Sequence, residues 1–162
     1  MINNSRILGI DPGYGRLGIA VIENERGNQK LVYSECFETS NNLPHEERLA
    51  LIGDRVKFVI KKFKPNKLGL ETLLFSKNVK TALQVAEARG VILTEGAREK
   101  IEIFELNPNS IKLAVTGYGK SDKKQIIDML HKILKINKII KHDDEYDAIA
   151  VAITCAVIHK NI

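Results

Sequence analysis

The chain has 162 residues, 44% of them hydrophobic and 28% charged, and carries a net charge of +5 at neutral pH. These values suit a single globular domain over residues 1–162 and exclude a disordered chain. No apolar run approaches the roughly 20 residues of a membrane span, and the N-terminus lacks a signal-peptide pattern. Cys36 and Cys155 are too few for a disulfide framework and lack metal-site spacing. We therefore expect a cytoplasmic protein without a membrane contact, in which both thiols are buried and reduced.

The first half of the chain contains short β-rich runs and one long amphipathic stretch. Its predicted strands are Ile7–Ile10, Leu17–Val21, Leu31–Phe37 and Leu68–Leu70. The first three are expected to form an antiparallel meander, because turn residues around Gly27 separate the second from the third. Apolar side chains at helical spacing predict a helix over 45–63, which Pro65 ends.

The second half is predicted to be mostly helical. A helix is expected over 78–99, a half-buried strand near an edge of the sheet over 101–106, and a helical turn over 110–115. The spacing of Asp122 and Gln125 is that of a capping box, which predicts the start of a further helix. A last, mostly apolar helix is expected from about Asp144 to His159. The order of these elements predicts an α/β domain with a mixed sheet.

Two of the predicted strands end on a carboxylate. Asp11 follows the run Ile7–Ile10, and Glu71 follows the run Leu68–Leu70. A carboxylate is costly to bury unless a cation or hydrogen-bond donors surround it, so a metal site explains both positions. For either residue alone, a structural role in capping a helix or bonding a turn is an equally good explanation.

A second carboxylate pair lies at the start of the last helix. Asp144 and Asp147 are three residues apart and share one helical face, where a divalent cation would relieve their repulsion. The alternative is that first-turn acids favour the positive end of the helix dipole, and Asp147 fits that alternative less well. Four carboxylates without a His or Cys ligand set favour Mg²⁺ or Mn²⁺ over zinc. The four histidines are expected at the surface, with His142 close to this pair.

Lysines are concentrated between positions 112 and 141, where eight of them accompany only two aspartates. They are Lys112, Lys120, Lys123, Lys124, Lys132, Lys135, Lys138 and Lys141. Such a cluster is typical of a phosphate-binding face. On the charge pattern alone, a solvated helix surface is the more common explanation.

Four segments, distributed over nearly the whole chain, resemble the RuvC-type Holliday junction resolvases. They are Arg6–Gly18, Leu70–Gly90, Val115–Gln125 and Asp144–Thr154. The GIDPG motif is weak alone, but it is specific together with the S-K-N and A-R-G motifs and the D-x-x-D-A-x-A-x-A ending. The resemblance implies an RNase H-like α/β fold, with a mixed five-stranded sheet flanked by helices. It also implies a homodimeric, Mg²⁺-dependent endonuclease that acts on four-way DNA junctions.

The resemblance also assigns roles to individual residues. The catalytic and metal-binding positions fall on Asp11, Glu71, Asp144 and Asp147. The DNA-contacting positions fall on Lys77, Asn78, Arg89, Lys112, Lys120, Lys123 and Lys124. The dimer helix corresponds to Thr81–Glu99, which gives Gly90 a close-packing role. Where several family members have an aromatic wedge against the junction bases, this chain has Leu74, with Phe75 next to it.

The mechanism that the resemblance implies uses two Mg²⁺ ions per active site, with Mn²⁺ as a substitute, and leaves 5′-phosphate and 3′-hydroxyl ends. A branch-migration motor is the expected partner in recombination and repair. Three alternatives come from other classes of protein. The first is an RNase H-like nuclease acting on RNA or RNA/DNA hybrids, and the second is a catalytically silent junction-binding module. The third is an ATPase whose phosphate loop includes Asp11, Gly13 and Gly18, although the chain is long enough for only one lobe.

Overall fold

The computed structural model describes residues 4–72 and 79–158. Within them, five strands form one sheet and five helices cover it. In chain order the elements are β1 Asn4–Asp11, β2 Arg16–Glu25, β3 Asn28–Glu38, α1 His45–Phe63, β4 Lys67–Glu71, α2 Val79–Arg98, β5 Glu102–Leu106, α3 Pro108–Thr116, α4 Lys123–Leu134 and α5 Asp143–Ile158. No helix in the described part of the chain is both long and apolar enough to cross a bilayer.

The sheet has the strand order β3-β2-β1-β4-β5. β1, β2 and β3 form the predicted antiparallel meander, whereas β4 pairs parallel to β1 and β5 pairs parallel to β4. The mixed five-stranded sheet is therefore confirmed, and β5 is an edge strand as predicted. The parallel pairing has a direct consequence for function, because parallel neighbours end at the same edge of a sheet.

The helices form one layer on each face of the sheet. Leu8 and Ile10 of β1 pack in the core beneath α1 and α2, while Ile7 packs in the core formed with α3, α4 and α5. Alternate residues of β1 therefore point to opposite faces, as the two-residue period requires. Asp11 continues the series of Ile7 and Gly9, so it lies on the α5 face.

Glycines in two adjacent strands let α5 approach the sheet closely. A Cβ at Gly9 would lie 2.3 Å from the carbonyl oxygen of Ala148, and a Cβ at Gly18 would lie 1.9 Å from that of Asp144. No side chain fits at either position, so the backbone of α5 rests directly on β1 and β2. This contact fixes the first turn of α5 above the end of β1.

Several boundaries differ from the sequence-based expectations. The expected turn over 110–115 is a full helix, α3, because the Asn107 side chain accepts a hydrogen bond from Ser110 N and Pro108 takes the first turn. α5 begins at Asp143, one residue earlier than expected. The expectation of two buried thiols is wrong for Cys36, which is half-buried, and right for Cys155.

Candidate active site

Asp11 and Glu71 lie at the same edge of the sheet, because β1 and β4 are parallel neighbours with Ile10 beside Leu70. The first two turns of α5 bring Asp144 and Asp147 to this edge from above. The structure therefore brings together all four carboxylates that the sequence singled out.

The charge of this cluster is visible in the pKa of Asp11. Burial and the nearby charges of Asp147, Glu71 and Asp144 raise that pKa from 3.8 to about 7, which Lys123 only partly opposes. Burial and the charge of Asp147 also raise the pKa of Glu71. Burial raises the pKa of Asp147 as well, against the opposing effect of Lys123. The protein's own cations do not neutralise the cluster, which favours a bound cation.

Lys123 is the cation closest to the cluster. Its Nζ donates to both carboxylate oxygens of Asp147, at 2.5 and 2.6 Å. The lysine is the first residue of α4, after the predicted capping box, in which Asp122 and Gln125 bond each other's backbone N–H groups at 2.9 Å. The cap therefore sets the position from which Lys123 reaches α5.

Arg16, which the sequence analysis did not single out, is a second cation at the site. Its Nε lies 3.5 Å from Asp144 Oδ2, and its Nη1 donates to His142 Nδ1 at 3.1 Å. Arg16 is at the first position of β2, only five residues after Asp11, and this proximity in the chain was the available signal.

A buried arginine holds the loop between β1 and β2. The guanidinium of Arg48 lies 3.8 Å from the centre of the Tyr14 ring, and it donates to Thr39 Oγ1 at 3.0 Å and to Tyr14 O at 3.3 Å. Arg48 is only 5% exposed and falls on the apolar stripe of α1 with Ile52 and Val56. A charge on an apolar stripe was the sequence signal that could have identified it.

A cleft of about 320 Å³ runs from Glu71 and Asp147 to the α3–α4 loop. Its polar lining consists of Glu71, Lys112, Ser121, Asp122, Lys123 and Asp147. The loop above it is tightly bonded, since Thr116 Oγ1 accepts from Tyr118 N at 3.1 Å and lies 2.5 Å from the buried Ser121 Oγ. A backbone ordered in this way holds the exposed Lys120 beside the cleft.

The other predicted DNA contacts differ in accessibility. Lys124 is exposed at the start of α4, and the half-buried Lys112 lowers the pKa of Glu71 electrostatically. Arg89 is only 13% exposed, pairs with Glu105, and donates to Glu71 O at 3.3 Å. The remaining predicted contacts and wedge candidates, Leu74, Phe75, Lys77 and Asn78, lie outside the described residues.

The donor set fits a hard divalent cation, because all four groups are carboxylates, which Mg²⁺ and Mn²⁺ prefer. Among the described residues, no three of these carboxylates have oxygens within 4.8 Å of one another. Lys123 and Arg16 meanwhile lie against Asp147 and Asp144. A cation that binds the oxygens of Asp147 and Asp144 therefore competes with the side chains of Lys123 and Arg16.

Comparison with known proteins gives a consistent result. The family model described as "Crossover junction endodeoxyribonuclease RuvC" matches residues 7–155. The protein of that name from Thermotoga petrophila is 42% identical over 147 residues, which cover 91% of this chain and 89% of the relative. A T. thermophilus RuvC structure in complex with a Holliday junction substrate superposes with a TM-score of 0.88 at 28% identity, covering 94% of this chain and 93% of that one.

A more distant structure, that of the yeast mitochondrial Holliday junction resolvase Ydc2, has a TM-score of 0.70 at 15% identity. The match covers 93% of this chain and 77% of the Ydc2 chain. At that identity the likeness concerns the fold alone, and with the closer match it confirms the RNase H-like architecture. The chain belongs to the RuvC family of crossover junction endodeoxyribonucleases, which are metal-dependent nucleases.

Proposed function

We propose that this chain resolves four-way DNA junctions in recombination and repair by nicking two opposed strands, with Asp11, Glu71, Asp144 and Asp147 as the catalytic and metal-binding residues. The observation that carries the proposal is the convergence of these carboxylates at one edge of the sheet, where the pKa of Asp11 rises to about 7. The junction as substrate is supported by membership of the RuvC family and by the likeness to a RuvC bound to a Holliday junction.

The metal we propose is Mg²⁺, two ions per site, with Mn²⁺ as a substitute, because the ligands are oxygens of four carboxylates. When bound, these ions supply an activated water and stabilise the departing 3′ oxygen, which leaves 5′-phosphate and 3′-hydroxyl ends. The part played by the chain is to hold the four carboxylates at one edge of the sheet, where their mutual repulsion favours a bound cation. Lys123 and Lys112 offset some of their charge and stand where a DNA phosphate would enter the cleft.

The proposed phosphate-binding surface is formed by α3, the α3–α4 loop and the start of α4, through Lys112, Lys120, Lys123 and Lys124. Lys77 and Asn78 are further DNA contacts in our proposal, and Leu74 or Phe75 takes the wedge role against the junction bases. Arg89 would have to release Glu105 in order to contact DNA, so its contribution is expected to be smaller than that of the exposed lysines.

We further propose a homodimer formed through the outer face of α2. Leu83 is 60% exposed on this face, and Gly90 lies two turns further along it. A Cβ at Gly90 would meet no described atom within 4 Å, so packing within one described chain does not require a glycine there. Close packing of a second copy against Gly90 would explain the glycine, and a two-fold dimer matches the two-fold symmetry of the junction. The single nuclease domain, the cytoplasmic location and a branch-migration motor as partner belong to the same proposal.

Cleavage of a substrate panel tests the proposed function. Wild-type protein is incubated with Mg²⁺ and with an immobile junction, a mobile junction, linear duplex, single-stranded DNA or an RNA/DNA hybrid. We expect paired nicks on opposed strands of the junctions only, which DNA ligase reseals. Equal cleavage of the hybrid would contradict the proposal in favour of a general RNase H-like nuclease. Tight junction binding without cleavage in any divalent metal would indicate a silent binding module.

A further inference from the structure

A second group of potential metal ligands lies at the C-terminal end of β3. One donor atom each from Cys36, Glu38 and His142 lies within 4.8 Å of the other two. The proposed catalytic carboxylates are not members of this trio, which combines a sulfur, an oxygen and a nitrogen. Among the described residues it is the one set of three His, Cys, Asp or Glu side chains with this spacing.

Two rigid elements hold the trio. Ser34, Cys36 and Glu38 lie two residues apart on one face of β3, and His142 immediately precedes α5. The Glu145 carboxylate, in the first turn of α5, accepts a hydrogen bond from Ser34 Oγ at 2.6 Å and one from Lys138 Nζ at 2.6 Å. The strand face and the helix start are therefore fixed to each other beside the trio, which keeps its donor atoms close.

The electrostatic surroundings favour a cation. Burial and the charges of Asp144, Glu38 and Glu145 together raise the pKa of the Cys36 thiol to about 11, although Arg16 acts in the opposite direction. The negative potential that disfavours a free thiolate attracts a metal ion, which then displaces the thiol proton. Access is open, since the side chains of Glu38 and His142 are 57% and 38% exposed.

We propose that Cys36, Glu38 and His142 form a site for a borderline-soft divalent cation, Zn²⁺ or its spectroscopic substitute Co²⁺, with a water molecule as the fourth ligand. Thiolate, imidazole and carboxylate together are a ligand set typical of zinc, and three protein ligands leave one position open. The site shares no ligand with the adjacent all-carboxylate cluster, which favours harder ions.

The hydrogen bonds of His142 indicate what changes on binding. Arginine only donates, so Arg16 Nη1 bonds an unprotonated Nδ1, and the proton of neutral His142 lies on Nε2, which is 3.3 Å from Glu38 Oε1. A metal ion takes the place of that Nε2 proton, Nδ1 becomes protonated, and Arg16 turns away from His142. The imidazole keeps one proton throughout, so the thiol proton is the one released to solvent. The side chain of Arg16 is 54% exposed, so it can turn into solvent.

Cobalt absorption tests the site directly. Chelator-treated full-length protein is titrated with Co²⁺ in excess Mg²⁺, which occupies hard oxygen ligands. We expect a thiolate-to-cobalt charge-transfer band that saturates at one ion per chain and disappears when Zn²⁺ is added. Zn²⁺ should also raise the thermal unfolding midpoint of the wild type, because it binds the folded chain preferentially.

Matched variants decide which thiol is involved. Cys36→Ala should abolish the band and the zinc-dependent rise in unfolding midpoint, whereas Cys155→Ala, which alters the other cysteine, should keep both. Glu38→Gln and His142→Gln, both at exposed side chains, should weaken Co²⁺ binding by more than about tenfold. The proposal is overturned if no band forms, or if the band survives Cys36→Ala or His142→Gln at wild-type affinity. The measurement involves no DNA, so its failure would leave the proposed nuclease function untouched.

Discussion

The ammonium group of Lys123 donates to both carboxylate oxygens of Asp147, at 2.5 and 2.6 Å, and so joins the start of α4 to α5. A protein cation thus lies at the position where a divalent metal would claim the same oxygens. The contact also connects the lysine-rich loop to the acidic cluster, so that the proposed DNA-binding surface and the proposed catalytic residues share one ion pair.

Replacing Lys123 should therefore separate metal binding from cleavage. In Lys123→Met the competing ammonium is gone, and we expect Mg²⁺ to bind several-fold more tightly while junction cleavage slows by about tenfold or more. Isothermal titration and single-turnover cleavage measure the two effects. Lys124→Met, at the next position of α4, is the matched control and should leave Mg²⁺ affinity unchanged. Weaker Mg²⁺ binding in Lys123→Met would contradict this account of the ion pair.

The raised pKa of Asp11 predicts how stability depends on pH in the metal-free protein. Below about pH 4 the Asp11 carboxyl is protonated in both the folded and the unfolded chain, so folding carries no cost from burying its charge. The free energy of unfolding is therefore at its full value with respect to this group. Between pH 4 and 7 Asp11 ionises in the unfolded chain but stays protonated in the folded one, so the free energy of unfolding falls as the pH rises. Asp11→Asn cannot ionise, so it should be more stable than wild type at pH 8 by about 1–3 kcal/mol, with little difference near pH 4. Denaturant unfolding at both pH values checks this, and a less stable Asp11→Asn at pH 8 would refute it.

The local features of the site could be predicted from the sequence, whereas their assembly could not. Asp11 and Glu71 were identifiable because each ends an apolar run, and the capping box of Asp122 and Gln125 needs only a spacing of three residues. The parallel pairing of β1 with β4, which brings the two strand ends together, depends on a crossover that no local pattern specifies. The family resemblance supplied that part of the prediction.

Contacts between distant segments were missed for the same physical reason. Cys36 and Glu38 are far from His142 in the chain, and no spacing motif links them, so the sequence indicated only that His142 lies near the carboxylates. The length of α3 was underestimated because Pro108 suggests a loop, although proline is well tolerated in the first turn of a capped helix.

The exposed lysines of the α3–α4 region should give junction binding a strong dependence on salt. Each phosphate contact releases a counterion, and log affinity falls as log salt concentration rises. Lys120→Ala and Lys124→Ala should each make this slope shallower by about 0.9. Fluorescence anisotropy at several salt concentrations measures the slope. Lys57→Ala, an exposed lysine of α1 on the opposite face of the sheet, is the control. Slopes equal to wild type in both variants would remove this surface from the account.

Gly90 provides a test of the proposed dimer. Within one described chain its Cβ would meet nothing, so Gly90→Gln should stabilise an isolated helix by up to about 1 kcal/mol. If α2 forms the dimer contact, the same substitution should convert the dimer into a monomer, which light scattering would detect. Lys132→Gln, which introduces the same residue at an exposed position of α4 on the opposite face of the sheet, is the control. A dimer that survives Gly90→Gln with unchanged affinity would place the interface elsewhere.

In the proposed function the carboxylates perform the chemistry while the lysines bind the junction. The most direct measurement compares wild type, Asp11→Asn and Glu71→Gln for both junction affinity and single-turnover cleavage in Mg²⁺. The control is Asp54→Asn, an exposed acid of α1 on the other face of the sheet. We expect both site variants to bind the junction within a few-fold of wild type and to lose cleavage by more than about 100-fold, with Asp54→Asn unchanged. Cleavage within a few-fold of wild type in Asp11→Asn or Glu71→Gln would contradict the claim.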